Sequence, residues 1–263
     1  MKLMVFRALW GMTGPVAEQI ERIAAAGYDG VEGAPPDPAE MPRADFMRRV
    51  AEHRLALILG AQVDSRDQLE PTLKRLADFG PMKIDLHSGR DCMPHNEGCA
   101  YFEEALRLEQ VIGVPIGHET HRGRMFFTPW DTAFYLREFE SLRIVADYSH
   151  WVNVCERLPD DQAEALDLAN RRALHIHGRV GYEEGPQVPD PAAQEYANHL
   201  VWHEKQWKQI RRFHQERGET ILTFTPEYSP PRYLHTLPHT EVPVADLWRV
   251  CLWGAERARR QLG

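Results

Sequence analysis

The segment Met82-Lys83-Ile84-Asp85-Leu86-His87 alternates apolar and polar side chains. A period of two is typical of a β-strand, because successive side chains of a strand point to opposite faces. The apolar face of this strand would pack against helices, and its polar face would line the interior of a barrel. The segment therefore predicts one strand of a barrel with a polar interior.

Seven more short segments are predicted to be strands, and helical patterns alternate with them. The eight strands are predicted over residues 3–8, 28–32, 55–60, 82–87, 114–119, 144–147, 173–177 and 221–227. Eight alternating units indicate an α/β fold, a single (β/α)8 TIM barrel. An open doubly wound sheet is the alternative, but no G-x-G-x-x-G follows the first strand.

Composition narrows the class of protein. The 263 residues show no internal shift that marks a boundary, so one domain over residues 1–263 is expected. A net charge of −8 without a block of basic residues argues against a nucleic-acid partner. No apolar run reaches the roughly 20 residues that a membrane span requires. The four cysteines form no C-x-x-C pair, which favours free thiols and a cytoplasmic protein.

Four acidic or imidazole residues stand where the predicted strands five to eight end. They are Glu119, Asp147, His177 and Glu227. Because the carboxyl ends of barrel strands meet at one face, these side chains can converge on one point above the barrel axis. Three carboxylates and one imidazole, with no thiolate, suit a single Mn²⁺, Mg²⁺, Co²⁺ or Zn²⁺ ion. The sequence therefore predicts a metal site at this face.

At these residues the chain resembles the xylose isomerase-like TIM-barrel superfamily, the sugar phosphate isomerase/epimerase group. The resemblance covers essentially the whole chain, and its specific part is the ordered set Glu119, Asp147-x-x-His150, His175-x-His177 and Glu227. It implies that Glu119, Asp147, His177 and Glu227 bind one divalent metal, and that Glu119 and Glu227 form the catalytic acid/base pair.

The resemblance also implies contacts beyond the metal. His150 would contact substrate oxygens, and Arg179 is the only arginine near the strand-seven ligand that could grip one. Because relatives often form dimers or tetramers, a homo-oligomer is implied as well.

The implied chemistry is proton abstraction next to a carbonyl. A metal that holds the carbonyl oxygen and the neighbouring hydroxyl acidifies the adjacent C–H, so a carboxylate can remove that proton and leave an enediolate. The predicted function is therefore a metal-dependent isomerase or epimerase of a small-molecule carbohydrate.

Three other functions share this scaffold. The first is a metal-dependent lyase or dehydratase acting on a keto sugar or polyol. The second is an AP endonuclease-like phosphodiesterase, against which the lack of Asp-x-His in residues 179–200 argues. The third is a non-catalytic sugar-binding barrel, against which the pair of glutamates argues.

Residues beside the predicted strand ends have two interpretations each. His87 and His121 suit extra ligands of a multinuclear site or hydrogen-bonding groups of the pocket wall. Arg124 suits a substrate phosphate or carboxylate, or it is a solvated loop charge. Trp10 suits an aromatic wall against a sugar or a lid of the barrel. Glu32 suits an inward structural role or a substrate contact. Within the long connection over residues 179–197, the segment 182–187 suits an active-site lid or a disordered loop.

Overall fold

The computed structural model describes residues 1–263, and its eight parallel strands form a closed barrel. The strands are β1 Lys2–Ala8, β2 Gly30–Gly33, β3 Ala56–Val63, β4 Lys83–Ser88, β5 Ile116–Glu119, β6 Ile144–Ala146, β7 Ala173–His177 and β8 Ile221–Thr225. Each strand pairs with its neighbours in chain order, and β8 closes the barrel by pairing with β1. The predicted (β/α)8 TIM barrel is therefore confirmed.

Nine helices surround the barrel. They are α1 Val16–Ala25, α2 Arg43–Glu52, α3 Leu69–Ala77, α4 His95–Ile112, α5 Pro129–Glu138, α6 Tyr148–Cys155, α7 Ala163–Arg172, α8 Ala197–Glu216 and α9 Leu247–Leu262. On α3, for example, Leu69, Leu73 and Leu76 are fully buried, as expected for one apolar stripe of an amphipathic helix. None of the nine has both the length and the apolar character of a membrane span.

One helix, α6, was not predicted from the sequence. It begins directly after β6, and the Asp147 side chain caps it by accepting a hydrogen bond from the Ser149 backbone N–H at 3.1 Å. The helix buries Trp151 and Val152 completely, so tertiary packing stabilises a segment of modest helix propensity. This short helix holds Ser149 and His150 beside the mouth of the barrel.

The barrel interior is polar, as the alternation in β4 predicts. Lys83 Nζ donates hydrogen bonds to the Leu174 carbonyl at 2.7 Å and to Thr223 Oγ1 at 2.9 Å, across the barrel. Ile84 and Leu86, on the other face of β4, are buried against the surrounding helices. The two strand faces therefore separate a polar column from the apolar core.

The connection that follows β7 packs against the barrel mouth. Val188 N–H donates to the Val180 carbonyl at 2.9 Å, and Gln187 exchanges two hydrogen bonds with the Ser229 backbone. A Cβ atom at Gly181 would lie 2.4 Å from the Ser149 carbonyl oxygen, so only glycine allows this close approach. Residues 180–188 thereby connect α6 to the segment after β8.

Candidate metal centre

A cavity of 490 Å³ opens at the carboxyl ends of the strands. Its lining includes seven of the residues predicted for the site: Trp10, His87, Glu119, His121, His177, Arg179 and Glu227. Asp147, His150 and Arg124 are not part of this lining. Most of the residues predicted for the site therefore lie around the mouth of the barrel, and three lie outside the cavity lining.

The structure brings the four predicted ligands together. Glu119, Asp147, His177 and Glu227 each place one ligand atom within 4.8 Å of all the others. His177 Nδ1 lies 3.2 Å from Glu227 Oε2 and 3.6 Å from Glu119 Oε1. Ligand atoms that each lie about 2.0–2.3 Å from one ion lie at most about twice that distance from one another. This group of side chains is therefore compact enough to hold a cation.

Unsatisfied polar atoms converge within this group. Glu119 Oε1, Glu227 Oε2 and His177 Nδ1 are buried and make no hydrogen bond, although Glu227 Oε2 is ion-paired with Arg179 Nη2 at 3.0 Å. Buried polar atoms normally have partners, so several unpartnered acceptors at one point indicate a place for a positively charged group. The donor set is oxygen-rich with one nitrogen, and it fits a divalent metal ion.

Arg179 carries the one guanidinium that lies among these carboxylates. It is 1% exposed, and its Nη2 and Nε both donate to Asp147 Oδ2. Its Nη1 donates to Ser229 Oγ at 3.0 Å, and its Nη2 lies 3.0 Å from Glu227 Oε2. A buried charge is tolerated when it is paired and hydrogen-bonded, and Arg179 meets this condition through protein groups alone.

Two further buried carboxyl groups lie below the four predicted ligands. Glu32, at the end of β2, accepts a hydrogen bond from His177 Nε2 at 3.0 Å and also contacts His175 and Thr225. Asp85, in β4, lies 3.9 Å from His177 Nε2 and has an unpartnered Oδ1 atom. Glu32 was predicted to have an inward structural role or a substrate contact, whereas Asp85 was not predicted for the site although the alternation in β4 pointed it inward.

The histidines form a second group beside Glu119. His87 Nε2 contacts Glu119 Oε2, and the His87 and His121 rings stack with centroids 4.5 Å apart. His87, Glu119 and His121 also satisfy the spacing of a possible metal-binding group. His150 is fully buried, and its Nε2 accepts a hydrogen bond from Arg179 Nη2 at 3.0 Å. The imidazoles of His87, His121 and His150 therefore lie beside the four predicted ligands.

The remaining predicted residues differ in their access to the cavity. Arg124 donates to the Gly89 carbonyl at 2.9 Å and pairs with Asp64, so its guanidinium is directed away from the cavity. Trp10 is 45% exposed, and its ring meets the edge of Tyr233 with centroids 5.2 Å apart. An aromatic wall therefore stands at the rim, whereas the arginine stabilises a neighbouring loop.

Burial and neighbouring charges shift the pKa values in the cavity. Burial, followed by the nearby Glu119 carboxylate, raises the pKa of Asp85 well above its ordinary value. Burial would lower the pKa of His87, but the Glu119 carboxylate raises it to about 9. Burial lowers the pKa of His121 to about 4. At neutral pH, His87 is therefore charged and His121 is neutral.

No protein-family model matches the chain, and no curated protein matches it. Solved structures do share its architecture. The D-allulose 3-epimerase from Methylomonas sp., in complex with D-allulose, matches with a TM-score of 0.63 at 15% identity over 99% of this chain and 97% of that chain. A xylose isomerase domain protein from Alicyclobacillus acidocaldarius matches with 0.62 at 13% identity, over 99% and 98%. The probable 3-DHS dehydratase AsbF from Bacillus anthracis matches with 0.62 at 13% identity, over 88% and 94%.

The chain shares the TIM-barrel fold of these structures. At these identities the likeness concerns the fold alone, and it agrees with the fold that the resemblance implied. In this barrel, Glu119 and His177 end β5 and β7, while Asp147 and Glu227 follow β6 and β8. Regular strands therefore hold the candidate ligands in place.

Proposed function

We propose that the protein is a divalent-metal-dependent isomerase or epimerase of a sugar or sugar derivative, which acts by proton abstraction next to a carbonyl. The observation that carries this proposal is the group Glu119, Asp147, His177 and Glu227, with its unpartnered atoms at the cavity. One Mn²⁺, Mg²⁺, Co²⁺ or Zn²⁺ ion would be held there. The shared fold with a D-allulose 3-epimerase supports a carbohydrate substrate.

The two glutamates would form the acid/base pair. A bound metal would polarise the substrate carbonyl and acidify the adjacent C–H. Glu227 would remove this proton and Glu119 would return one, since both carboxylates border the same imidazole nitrogen of His177. Burial disfavours the ionised form of Glu227, but Arg179 and His177 lower its pKa below the ordinary value. An ionised carboxylate can accept a proton at neutral pH.

Other cavity residues would orient the substrate. His87 and His121 offer imidazole groups at the wall, and Trp10 offers an aromatic face at the rim. His150, Arg179 and Arg124 direct their hydrogen bonds to protein groups, so substrate contacts by these three stay predictions.

The proposal is tested by solvent-proton exchange. The purified chain with added Mn²⁺ is incubated in D₂O with a panel of keto sugars, and deuterium in substrate and product is measured by mass spectrometry. We expect exchange together with formation of an epimer or isomer. The Glu227→Gln variant should lose at least about 100-fold of this rate, because it lacks the base.

A matched control separates the base from other glutamates. Glu183 lies on the connection after β7 and pairs with His199 at 2.8 Å, outside the cavity lining. The Glu183→Gln variant should exchange at the rate of the unchanged chain. Normal exchange by Glu227→Gln would exclude Glu227 as the base. A dehydrated product would instead favour the lyase or dehydratase function, in keeping with the fold shared with AsbF.

A further inference from the structure

Glu32 reaches across the barrel from β2 to β7 without touching the unpartnered ligand atoms. It is 4% exposed, and its Oε1 accepts a hydrogen bond from His177 Nε2 at 3.0 Å. An ionised carboxylate only accepts hydrogen bonds, so Nε2 must carry the proton of this contact. The other ring nitrogen, Nδ1, faces Glu119 and Glu227 and has no hydrogen-bond partner.

We infer that Glu32 is a positioning residue that fixes the ring and the tautomer of His177, so that Nδ1 is presented to the metal. This inference rests on the proposed function. A histidine that binds a metal commonly donates its other N–H to a carboxylate, which orients the ring and raises its basicity. Because Glu32 and His177 lie 145 residues apart in the chain, only the closed barrel brings them together.

Glu32 is itself held by a polar column inside the barrel. Its Oε2 accepts a hydrogen bond from the Thr225 hydroxyl and lies 3.2 Å from His175 Nε2. His175 Nδ1 lies 2.7 Å from Thr223 Oγ1, which accepts from Lys83 Nζ at 2.9 Å. The Glu32 carboxylate therefore cannot rotate freely, because this chain of hydrogen bonds inside the barrel fixes its orientation.

Three variants separate position from charge. Glu32→Gln keeps an oxygen acceptor at the same reach but removes the charge, whereas Glu32→Asp keeps the charge and shortens the reach by one methylene. Glu204→Gln is the matched control, since Glu204 is also buried but pairs with Arg257, outside the cavity lining. Mn²⁺ affinity of each full-length variant is measured by equilibrium titration, with thermal unfolding as the check on folding.

We expect Glu32→Asp to bind Mn²⁺ about 10- to 100-fold more weakly than the unchanged chain. Glu32→Gln and Glu204→Gln should stay within about threefold, because both leave an acceptor at His177 Nε2. In the Zn²⁺-loaded protein, the ¹⁵N spectrum of His177 should show a protonated Nε2 in the unchanged chain and in Glu32→Gln. The Glu32→Asp variant should lose this signature.

Two results would overturn the inference while the proposed function stands. One is equal Mn²⁺ affinity of Glu32→Asp and the unchanged chain. The other is a loss in Glu32→Gln as large as that in Glu32→Asp, which would assign the effect to charge. If the unchanged chain binds no divalent metal, the proposed function and this inference both fail.

Discussion

The two halves of the cavity wall differ in chemistry. Strands β1 to β3 and the residues after them contribute mainly small residues, Ala8, Gly33, Ala34, Gly60 and Ala61, together with Leu9, Trp10 and Gln62. Strands β4 to β8 and the residues after them contribute Asp85, His87, Glu119, His121, His177, Arg179 and Glu227. The single charged residue from the first half, Glu32, directs its carboxylate to histidines of β7. The β4–β8 half, which we call the reactive half, therefore carries the polar groups that could bind a metal and react. The β1–β3 half, which we call the small-residue half, leaves space for a substrate.

The largest effect, on the stability of the protein, is expected when the Arg179 guanidinium of the reactive half is removed. Arg179→Met leaves the Asp147 and Glu227 carboxylates buried without their cation. The free energy of unfolding of the metal-free protein should fall by about 3–5 kcal/mol in urea denaturation. Saturating Mn²⁺ should recover part of the loss, because a cation again neutralises the carboxylates.

A surface pair is the control for Arg179. Arg157 pairs with Asp161 at 2.8 Å, and both side chains are about half exposed. Arg157→Met should cost less than about 1 kcal/mol. Equal losses in the two variants would mean that burial adds nothing to the Arg179 pair.

Apart from the Glu32 contact to His177, metal binding should depend on the reactive half. Glu119→Gln keeps the shape of the side chain but removes one charge and one ligand oxygen. Mn²⁺ affinity should fall by at least about 100-fold, equivalent to about 2.8 kcal/mol. Isothermal titration measures this change, and an unaltered dissociation constant would remove Glu119 from the ligand set.

Substrate binding should depend on the small-residue half. Ala61 lines the cavity from β3, so Ala61→Phe places a ring in the space that we assign to the substrate. The KM for the exchanging keto sugar should rise by at least about 10-fold, while Mn²⁺ affinity stays unchanged. A loss of metal affinity in this variant would show that the two halves are not independent.

The smallest effect is expected at the rim. Trp10→Ala removes the exposed indole at the rim, and an aromatic contact with the substrate contributes about 0.5–1.5 kcal/mol. The KM should rise by about 2- to 10-fold with kcat unchanged. A change in kcat alone would contradict a wall that only binds the substrate.

The fold was predictable because its pattern is local. The alternation in β4 and the acids at the ends of β5 to β8 can be found in the sequence without knowing which strands face each other. The pairing of Glu32 with His177 could not be predicted from the sequence, since it depends on the register and closure of the whole barrel. Helix α6 was missed because Tyr148, Trp151 and Val152 are weak helix formers, and burial decides their conformation.

Arg179 shows a different limit of sequence reasoning. Its position after β7 predicted a substrate contact, and that contact stays a prediction. In the structure its guanidinium donates hydrogen bonds to Asp147, Ser149, Ser229 and His150. A sequence identifies a cation near a group of acids, but which acceptors satisfy it depends on side-chain geometry.

The pairing of β1 with β8 affects how the chain is made. Val5 is the register partner of Phe224, so the first strand leaves the ribosome long before its neighbour exists. At about 5–20 residues per second, translation imposes a delay of roughly 10 to 40 seconds. During this interval the nascent chain exposes an unpaired strand edge, and molecular chaperones that shield such edges should improve the yield of folded protein.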